Sequence, residues 1–152
     1  MEKTRVGISY QTFSREGMVR TPPVDFWISL LETTNMEFVD LQNQPDSSAS
    51  LLHQPGHTAR YRLPFHLDFF NDIDALASLI QSLDMVITID NYIAHLAGRL
   101  GKKTVILLPA SPNWRWLMAR ADSIWYPAAH LIRQSSPGNW DDVQKEMMEF
   151  FV

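Results

Sequence analysis

Residues 85–109 read MVITIDNYIAHLAGRLGKKTVILLP, with two apolar runs on either side of a helix-like segment. The runs Met85–Ile89 and Thr104–Pro109 are rich in β-branched and aliphatic residues, which is typical of parallel strands covered on both faces. Between them lies a predicted helix that runs to Leu100 and is stopped by Gly101. The stretch therefore predicts a strand, a crossover helix and a second strand parallel to the first.

The rest of the chain continues this alternation of strands and helices. Further strands are predicted at Val6–Tyr10, Met36–Leu41, Tyr61–Leu63 and Leu131–Arg133, and further helices at Val24–Leu31, Ile73–Leu83 and Trp140–Phe150. Met36–Leu41 alternates apolar with acidic residues. Asp72 is a predicted N-cap, and the acidic pair Asp141-Asp142 stands at a helix start, where the helix dipole stabilises negative charge. Two segments are predicted as loops, Gln11–Pro23 and residues 42–58, the second with one short helix. The predicted fold class is α/β, a Rossmann-like three-layer domain with a mostly parallel sheet flanked by helices, and residues 1–152 form one domain.

Composition excludes several classes of function. The 152 residues are 45% hydrophobic and carry a net charge of −4, so the chain has no broad attraction for a nucleic acid polymer. There are no cysteines, which excludes disulfides, thiolate metal sites and a cysteine nucleophile. No run approaches the length of a membrane span or a signal-peptide core, and we expect a cytoplasmic protein with no transmembrane segment.

Polar residues follow the first of the two central strands at its carboxyl end. Asp90 and Asn91 stand where the strand gives way to the helix, so unpaired backbone amides and the helix dipole there could hold a phosphate. His95 lies in the first turns of the same helix and could face the same crevice. The spacing also fits a plain helix cap at Asp90 or Asn91 and a packing histidine at His95, and it leaves both interpretations open.

Several separate blocks of the sequence occur in the order found in a known group of enzymes. The blocks are residues 69–80, Asp90-Asn91, residues 94–98, residues 100–102, residues 107–109, Trp114-Arg115-Trp116, Asp122-Ser123, Trp125-Tyr126-Pro127 and Arg133-Gln134. They resemble the C-terminal domain of bacterial glycosyltransferases associated with tetratricopeptide repeats, which are relatives of the lipopolysaccharide heptosyltransferases. Val6-Gly7-Ile8 and Arg20-Thr21 match the front of that domain more weakly.

The resemblance implies a fold and a ligand. Such enzymes have the GT-B fold, in which two Rossmann-like domains face each other and the C-terminal one holds the donor nucleotide sugar. By resemblance, Asn91 and the amides after it, beginning at Tyr92, approach the diphosphate, while Asp90 and His95 line the donor pocket. Arg20 or Thr21 would add phosphate contacts. The chemistry needs no metal and no cofactor, because fixed amide dipoles and a cation can stabilise a departing diphosphate.

Other side chains allow less specific interpretations. Arg115 is a second candidate cation for the diphosphate, or else an arginine stacked among tryptophans. The five tryptophans favour core and interface roles over stacking on a ligand. His53, His57 and His66 lack the close spacing of a zinc site, so we expect no metal.

The acceptor domain that such glycosyltransferases carry before this one is missing from the sequence. We therefore expect a partner polypeptide or a homo-oligomer to supply it, or the sequence to be part of a longer chain, and catalytic residues stay unassigned. The favoured function is a glycosyltransferase-like domain that binds a nucleotide-sugar donor, and is an enzyme when an acceptor domain is supplied. The alternative is a non-catalytic interaction module. A dinucleotide-dependent oxidoreductase is disfavoured, since no G-x-G-x-x-G follows the first strand.

Overall fold

A computed structural model describes residues 3–12, 14, 17–42, 61–62 and 67–151. The strands in these residues are β1 (Arg5–Ser9), β2 (Glu37–Asp40), β3 (Tyr61–Arg62), β4 (Met85–Ile89), β5 (Thr104–Leu108) and β6 (Ala129–Arg133). The helices are α1 (Gly17–Arg20), α2 (Val24–Thr33), α3 (Ile73–Ser82), α4 (Tyr92–Arg99) and α5 (Asp141–Phe151), with a 3-10 turn at Trp114–Trp116.

The six strands form a single sheet in the order β3-β2-β1-β4-β5-β6, and every neighbouring pair is parallel. The predicted Rossmann-like α/β class is thereby confirmed. The strand order reverses between β1 and β4, which lie side by side with Val6 opposite Met85 and Ser9 opposite Thr88. In open parallel sheets, ligands bind beyond the carboxyl ends of the strands at such a reversal.

Helices cover both faces of the sheet. On one face, α2 and α5 pack through Phe26, Trp27 and Val143 against side chains of the central strands such as Ile87 and Leu107. On the other face, α3 and α4 pack against Val86 and Val39. The central strands β4 and β5 are buried along their whole length, which explains their uninterrupted apolar sequence.

Side-chain caps fix where the helices begin. Asp72 accepts a 2.9 Å hydrogen bond from the amide of Ala75 and caps α3, as the sequence predicts. Asp142, in the first turn of α5, accepts hydrogen bonds from the amides of Ser135 and Val143 at 2.8 and 2.7 Å. Its carboxylate therefore serves the helix start, in agreement with the structural role predicted for the acidic pair Asp141-Asp142.

Three details differ from the prediction. The predicted loop Gln11–Pro23 contains α1, a turn of four residues that is too short for a periodic apolar pattern. Strand β6 begins at Ala129 and not at Leu131, since Ala129 and His130 pair with Thr104 and Val105 although they interrupt the apolar run. Asp40 is buried, so β2 does not alternate between inside and outside. Leu63 and residues 43–60 lie outside the described residues.

Candidate functional site

The turn between β4 and α4 is fixed by the side chain of Asn91. Its Oδ1 accepts hydrogen bonds from the amide of Ile93 and from the hydroxyl of Thr88, both at 3.0 Å. Its Nδ2 donates to Oγ of Ser9, at the end of β1, at 2.7 Å. Asn91 therefore caps α4 and also joins the carboxyl ends of the two strands between which the sheet order reverses.

A second link, which the sequence did not indicate, comes from Gln42 just after β2. Its Oε1 accepts from Oγ of Ser9 and from the amides of Tyr10 and Gln11, at 3.2, 3.0 and 3.1 Å. Its Nε2 donates to the carbonyl of Gln11 at 2.8 Å. The carboxyl ends of β1, β2 and β4 thus share one hydrogen-bond network, and its members are far apart in sequence.

The expectation of several unpaired amides at this turn needs correction. The amide of Asn91 donates to the carbonyl of Ile89 at 2.8 Å, that of Ile93 to Asn91 Oδ1, and that of Ala94 to the carbonyl of Asn91 at 3.2 Å. The chain uses these donors for its own cap. Among the described residues, no acceptor lies in hydrogen-bonding geometry to the amide of Tyr92, so the cap leaves this donor of the turn unused.

A cavity of about 680 Å³ lies beside this turn, and we call it the β4–β5 cavity. Six of the seven predicted site residues line it: Arg20, Asp90, Asn91, Tyr92, His95 and Arg115. Four further residues complete the lining, namely Asn113, Trp114, Trp125 and Tyr126. Thr21 is not among the lining residues. Its Oγ1 is buried and has no hydrogen-bond partner in the described part of the chain.

The charged groups among the described lining residues of the cavity are two arginines and one aspartate. Nη1 of Arg20 lies 3.5 Å from Oδ2 of Asp90, and the aspartate side chain is only 5% exposed. The guanidinium of Arg115 lies 5.3 Å from the ring centroid of Trp114. Arg115 therefore stacks on a tryptophan and lines the cavity at the same time, which combines its two sequence interpretations. With a neutral histidine, the described part of the lining carries a net charge of +1.

His95 is held in a small aromatic cluster. Its ring stacks on Trp116, with centroids 5.1 Å apart and an interplanar angle of 17°. Its Nδ1 lies 2.9 Å from the hydroxyl of Tyr126. Burial lowers the pKa of His95, the charge of Asp90 opposes the shift and Arg115 adds to it. The imidazole is therefore neutral at pH 7 and can donate or accept a hydrogen bond according to its tautomer.

The tryptophans divide into core and cavity residues. Trp27, Trp116 and Trp140 are buried, whereas Trp114 is 70% and Trp125 55% exposed. The core role expected from the sequence holds for the first three. The exposed pair lies on the rim of the β4–β5 cavity, where the sequence alone disfavoured a ligand contact.

A second cavity, of about 480 Å³, lies next to the same turn, and we call it the β1–β2 cavity. It shares Asn91 and Tyr92 with the first. The rest of its described lining is polar but uncharged at Ser9, Gln11, Thr12 and Gln42, and apolar at Leu41, Phe69, Phe70, Ile73, Leu76 and Ile93. The two cavities therefore differ in the charge of their described lining and have Asn91 and Tyr92 in common.

The described residues contain neither clustered metal ligands nor a membrane-spanning helix. No group of three or more His, Asp or Glu side chains is placed to hold a metal ion within the described ranges. His53, His57 and His66 lie outside them. None of the described helices combines the length and the apolar content that crossing a lipid bilayer requires.

Fold and site together define a Rossmann-like α/β domain with paired cavities at its topological switch point. No family model matches the sequence. Protein FlbA from Caulobacter vibrioides is 27% identical over 119 residues, which is 78% of this chain and 20% of FlbA, so the chain spans about one fifth of that relative's length. The crystal structure of PbgP3 protein from Burkholderia pseudomallei gives a TM-score of 0.45 at 14% identity, covering 99% of this chain and 48% of that one.

Proposed function

We propose that this domain binds the diphosphate of a nucleotide-sugar donor in the β4–β5 cavity and serves as the donor half of a glycosyltransferase. One observation carries the proposal. Arg20 and Arg115, which come from distant parts of the chain, line the same cavity beside the first turn of α4. Two guanidinium groups and a helix N-terminus are the groups that stabilise a diphosphate.

The Arg20–Asp90 pair fits this role better than a purely structural one. At 3.5 Å the contact is long for a charge-assisted hydrogen bond, and Arg20 remains 20% exposed on the cavity side of the fold. A bound diphosphate can accept from the Arg20 guanidinium without displacing Asp90, because the group has five N–H donors. Asp90 then orients the arginine toward its ligand.

The β1–β2 cavity accounts for the uncharged part of such a ligand. Its described lining has no ionised side chain and combines an apolar floor with amide and hydroxyl groups at the edge. A neutral planar ring meets these requirements through stacking and a few hydrogen bonds. The ligand that matches both cavities has a diphosphate at one end and a nucleobase at the other. The part of the ligand that connects them passes Tyr92, which lines both cavities.

Transfer of the sugar requires stabilisation of the leaving diphosphate. Arg20, Arg115 and the Tyr92 amide supply positive potential at that position, and a neutral His95 adds one hydrogen-bond donor or acceptor. We assign no general base to this chain. The acceptor and its base would come from a second domain or a partner that closes over the carboxyl edge of the sheet.

Calorimetry with nucleoside diphosphates and nucleotide sugars tests the proposal. We expect one site per chain, weakened at least about tenfold in Arg20→Met, because one charge-assisted contact is lost. The matched control is Arg99→Met, which removes an exposed arginine at the far end of α4 and leaves affinity unchanged. Absence of binding to any of these ligands at millimolar concentration rejects the proposal for this chain.

A second function, an interaction module, is favoured by one separate observation. Five large apolar side chains on the connection from β5 to β6 are between 39% and 70% exposed: Trp114, Leu117, Met118, Ile124 and Trp125. Exposed apolar groups concentrated in this way are typical of association surfaces. Concentration-dependent association in sedimentation experiments, abolished by Met118→Glu together with Ile124→Glu, supports it. A monomer at all concentrations that still binds nucleotides leaves only the first function.

A further inference from the structure

The last residue of β6 reaches back into the connection that supplies one wall of the β4–β5 cavity. We call residues 113–126 the aromatic loop. Arg133 donates from Nη2 to the carbonyl of Trp116 at 2.5 Å, from Nη1 to that of Leu117 at 2.9 Å, and from Nε to that of Arg120 at 3.1 Å. We infer that Arg133 is a positioning residue that sets the aromatic wall of the β4–β5 cavity and thereby its affinity for nucleotide ligands. The part that concerns affinity rests on the proposed function.

Arg133 acts at a distance from the cavity. It is not among the lining residues. In sequence, the anchored carbonyls are preceded by lining residues Asn113, Trp114 and Arg115 and are followed by lining residues Trp125 and Tyr126. The three carbonyls lie in the middle of the loop, so fixing them fixes both of its lining ends.

The anchored carbonyls surround the strained part of the loop. Leu117 and Ala119 have φ values of 55° and 54°, a left-handed conformation that is unfavourable for residues other than glycine. Such a backbone persists only when its surroundings hold it. The contacts of Arg133 fall at Leu117 itself and on either side of the strained pair, at Trp116 and Arg120.

Strand β6 reinforces the same attachment. The amide of Leu131 donates to the carbonyl of Ala121 at 2.7 Å, and Asp122 forms an antiparallel bridge with His130. The loop therefore runs back along the edge of β6 before it reaches Trp125. Arg120 and Asp122 also form two hydrogen bonds of 2.7 Å with each other, which stiffens this return segment.

The geometry requires an arginine. A guanidinium has a planar fork that can reach three carbonyls at once, whereas a lysine ammonium is a point donor on a flexible stem. Burial lowers the pKa of Arg133, and the neighbouring charge of Arg120 lowers it further, yet the group stays charged because an arginine begins so far above neutrality. Among the described residues, its hydrogen-bond acceptors are all backbone oxygens of the aromatic loop, so the guanidinium is committed to holding that segment.

The test compares Arg133→Met and Arg133→Lys with the wild type and with Arg99→Met. In the ligand-free protein, NMR of the indole N–H groups reports the order of Trp114 and Trp125, with the buried Trp27 as an internal reference. We expect the two rim indoles to broaden or shift in Arg133→Met, Trp27 to stay in place, and Arg133→Lys to lie between. Binding of ADP, GDP, CDP and UDP is measured in the same samples, and Arg133→Met should weaken it about tenfold.

Unchanged rim indoles in Arg133→Met overturn the inference, whatever the binding data show. Disturbed rim indoles with unchanged nucleotide affinity overturn the part that concerns affinity. If the wild type binds none of the four nucleotides, the proposed function fails, and the indole signals still decide whether Arg133 positions the loop. Should Arg133→Met not fold, Arg133→Lys is judged by the same two readouts.

Discussion

Nδ2 of Asn91 donates a 2.7 Å hydrogen bond to Oγ of Ser9, which lies 82 residues earlier in the chain. The bond crosses the point at which the strand order of the sheet reverses, from β4 to β1. Asn91 also lines both cavities at the carboxyl edge. One side chain therefore caps a helix, joins two strands and lines both the charged and the uncharged cavity.

Replacing Asn91 by alanine should cost more stability than losing a helix cap alone. The cap itself contributes about 1 kcal/mol and the bond to Ser9 a similar amount, so we expect a loss of about 2 kcal/mol. Urea denaturation measures this free energy of unfolding. The control is Asp72→Ala, which removes the exposed cap of α3 but no bond between strands like that of Asn91 with Ser9. Equal losses in the two variants would show that the link to β1 contributes nothing.

The stability of the protein should depend on pH through His95. Its pKa is lowered in the folded state, mainly by burial, so the unfolded chain binds the proton more readily. Stability is therefore fully present above the ordinary histidine pKa of about 6.5, and falls as the pH drops through that value toward the lower folded pKa. The difference in unfolding free energy between wild type and His95→Gln, measured from pH 8 to pH 5, isolates this residue. A difference that does not change with pH contradicts the assignment.

Two glycines of the α4 region should respond differently to alanine. A Cβ on Gly98 would lie 2.5 Å from Cγ of Tyr126, whereas a Cβ on Gly101 would meet nothing within 4 Å. Gly98→Ala should displace the Tyr126 ring and break its contact with His95, at a cost of about 1 to 3 kcal/mol. Gly101→Ala should cost about 1 kcal/mol through its φ of 70° and leave the ring in place.

NMR titration of His95 separates these two outcomes. Its pKa should move in Gly98→Ala, because the ring that buries it has shifted, and stay constant in Gly101→Ala. The opposite pattern would mean that Tyr126 does not shape the histidine's environment.

Removing the charge of Asp90 should have the opposite effect to removing Arg20. Asp90→Asn removes the negative charge that lies beside Arg20 in the β4–β5 cavity, so we expect tighter binding of inorganic pyrophosphate together with lower protein stability. Affinity measured at low and high salt should fall with ionic strength in both wild type and variant. Weaker pyrophosphate binding in Asp90→Asn would show that the carboxylate itself is needed for the ligand.

The fold was readable from the sequence because its signal is local. Met85–Ile89 and Thr104–Leu108 are buried on both faces, so apolar runs of the right length mark them without reference to the rest of the chain. Asp72 and Gly101 likewise mark helix boundaries by their own chemistry. The short helix α1 was not predicted, because four residues are too few to show a helical period in their apolar positions.

The site was only partly readable. The polar residues after β4 were identified because the carboxyl edge of a parallel sheet is a known place to search. Gln42, Ser9 and Arg133 were missed, since their importance lies in contacts with residues 13 or more positions away. The number of unpaired amides was overestimated because Asn91 occupies one of them with its own side chain.

The central claim is that a diphosphate binds beside the first turn of α4, and backbone NMR during titration with a nucleoside diphosphate tests it most directly. We predict that the amide resonance of Tyr92 shifts strongly and saturates together with the side-chain signals of Arg20 and Arg115. The Ile93 amide, already bonded to Asn91, should shift far less. A ligand that binds without moving Tyr92, or signals that stay unchanged at millimolar ligand, would contradict the account.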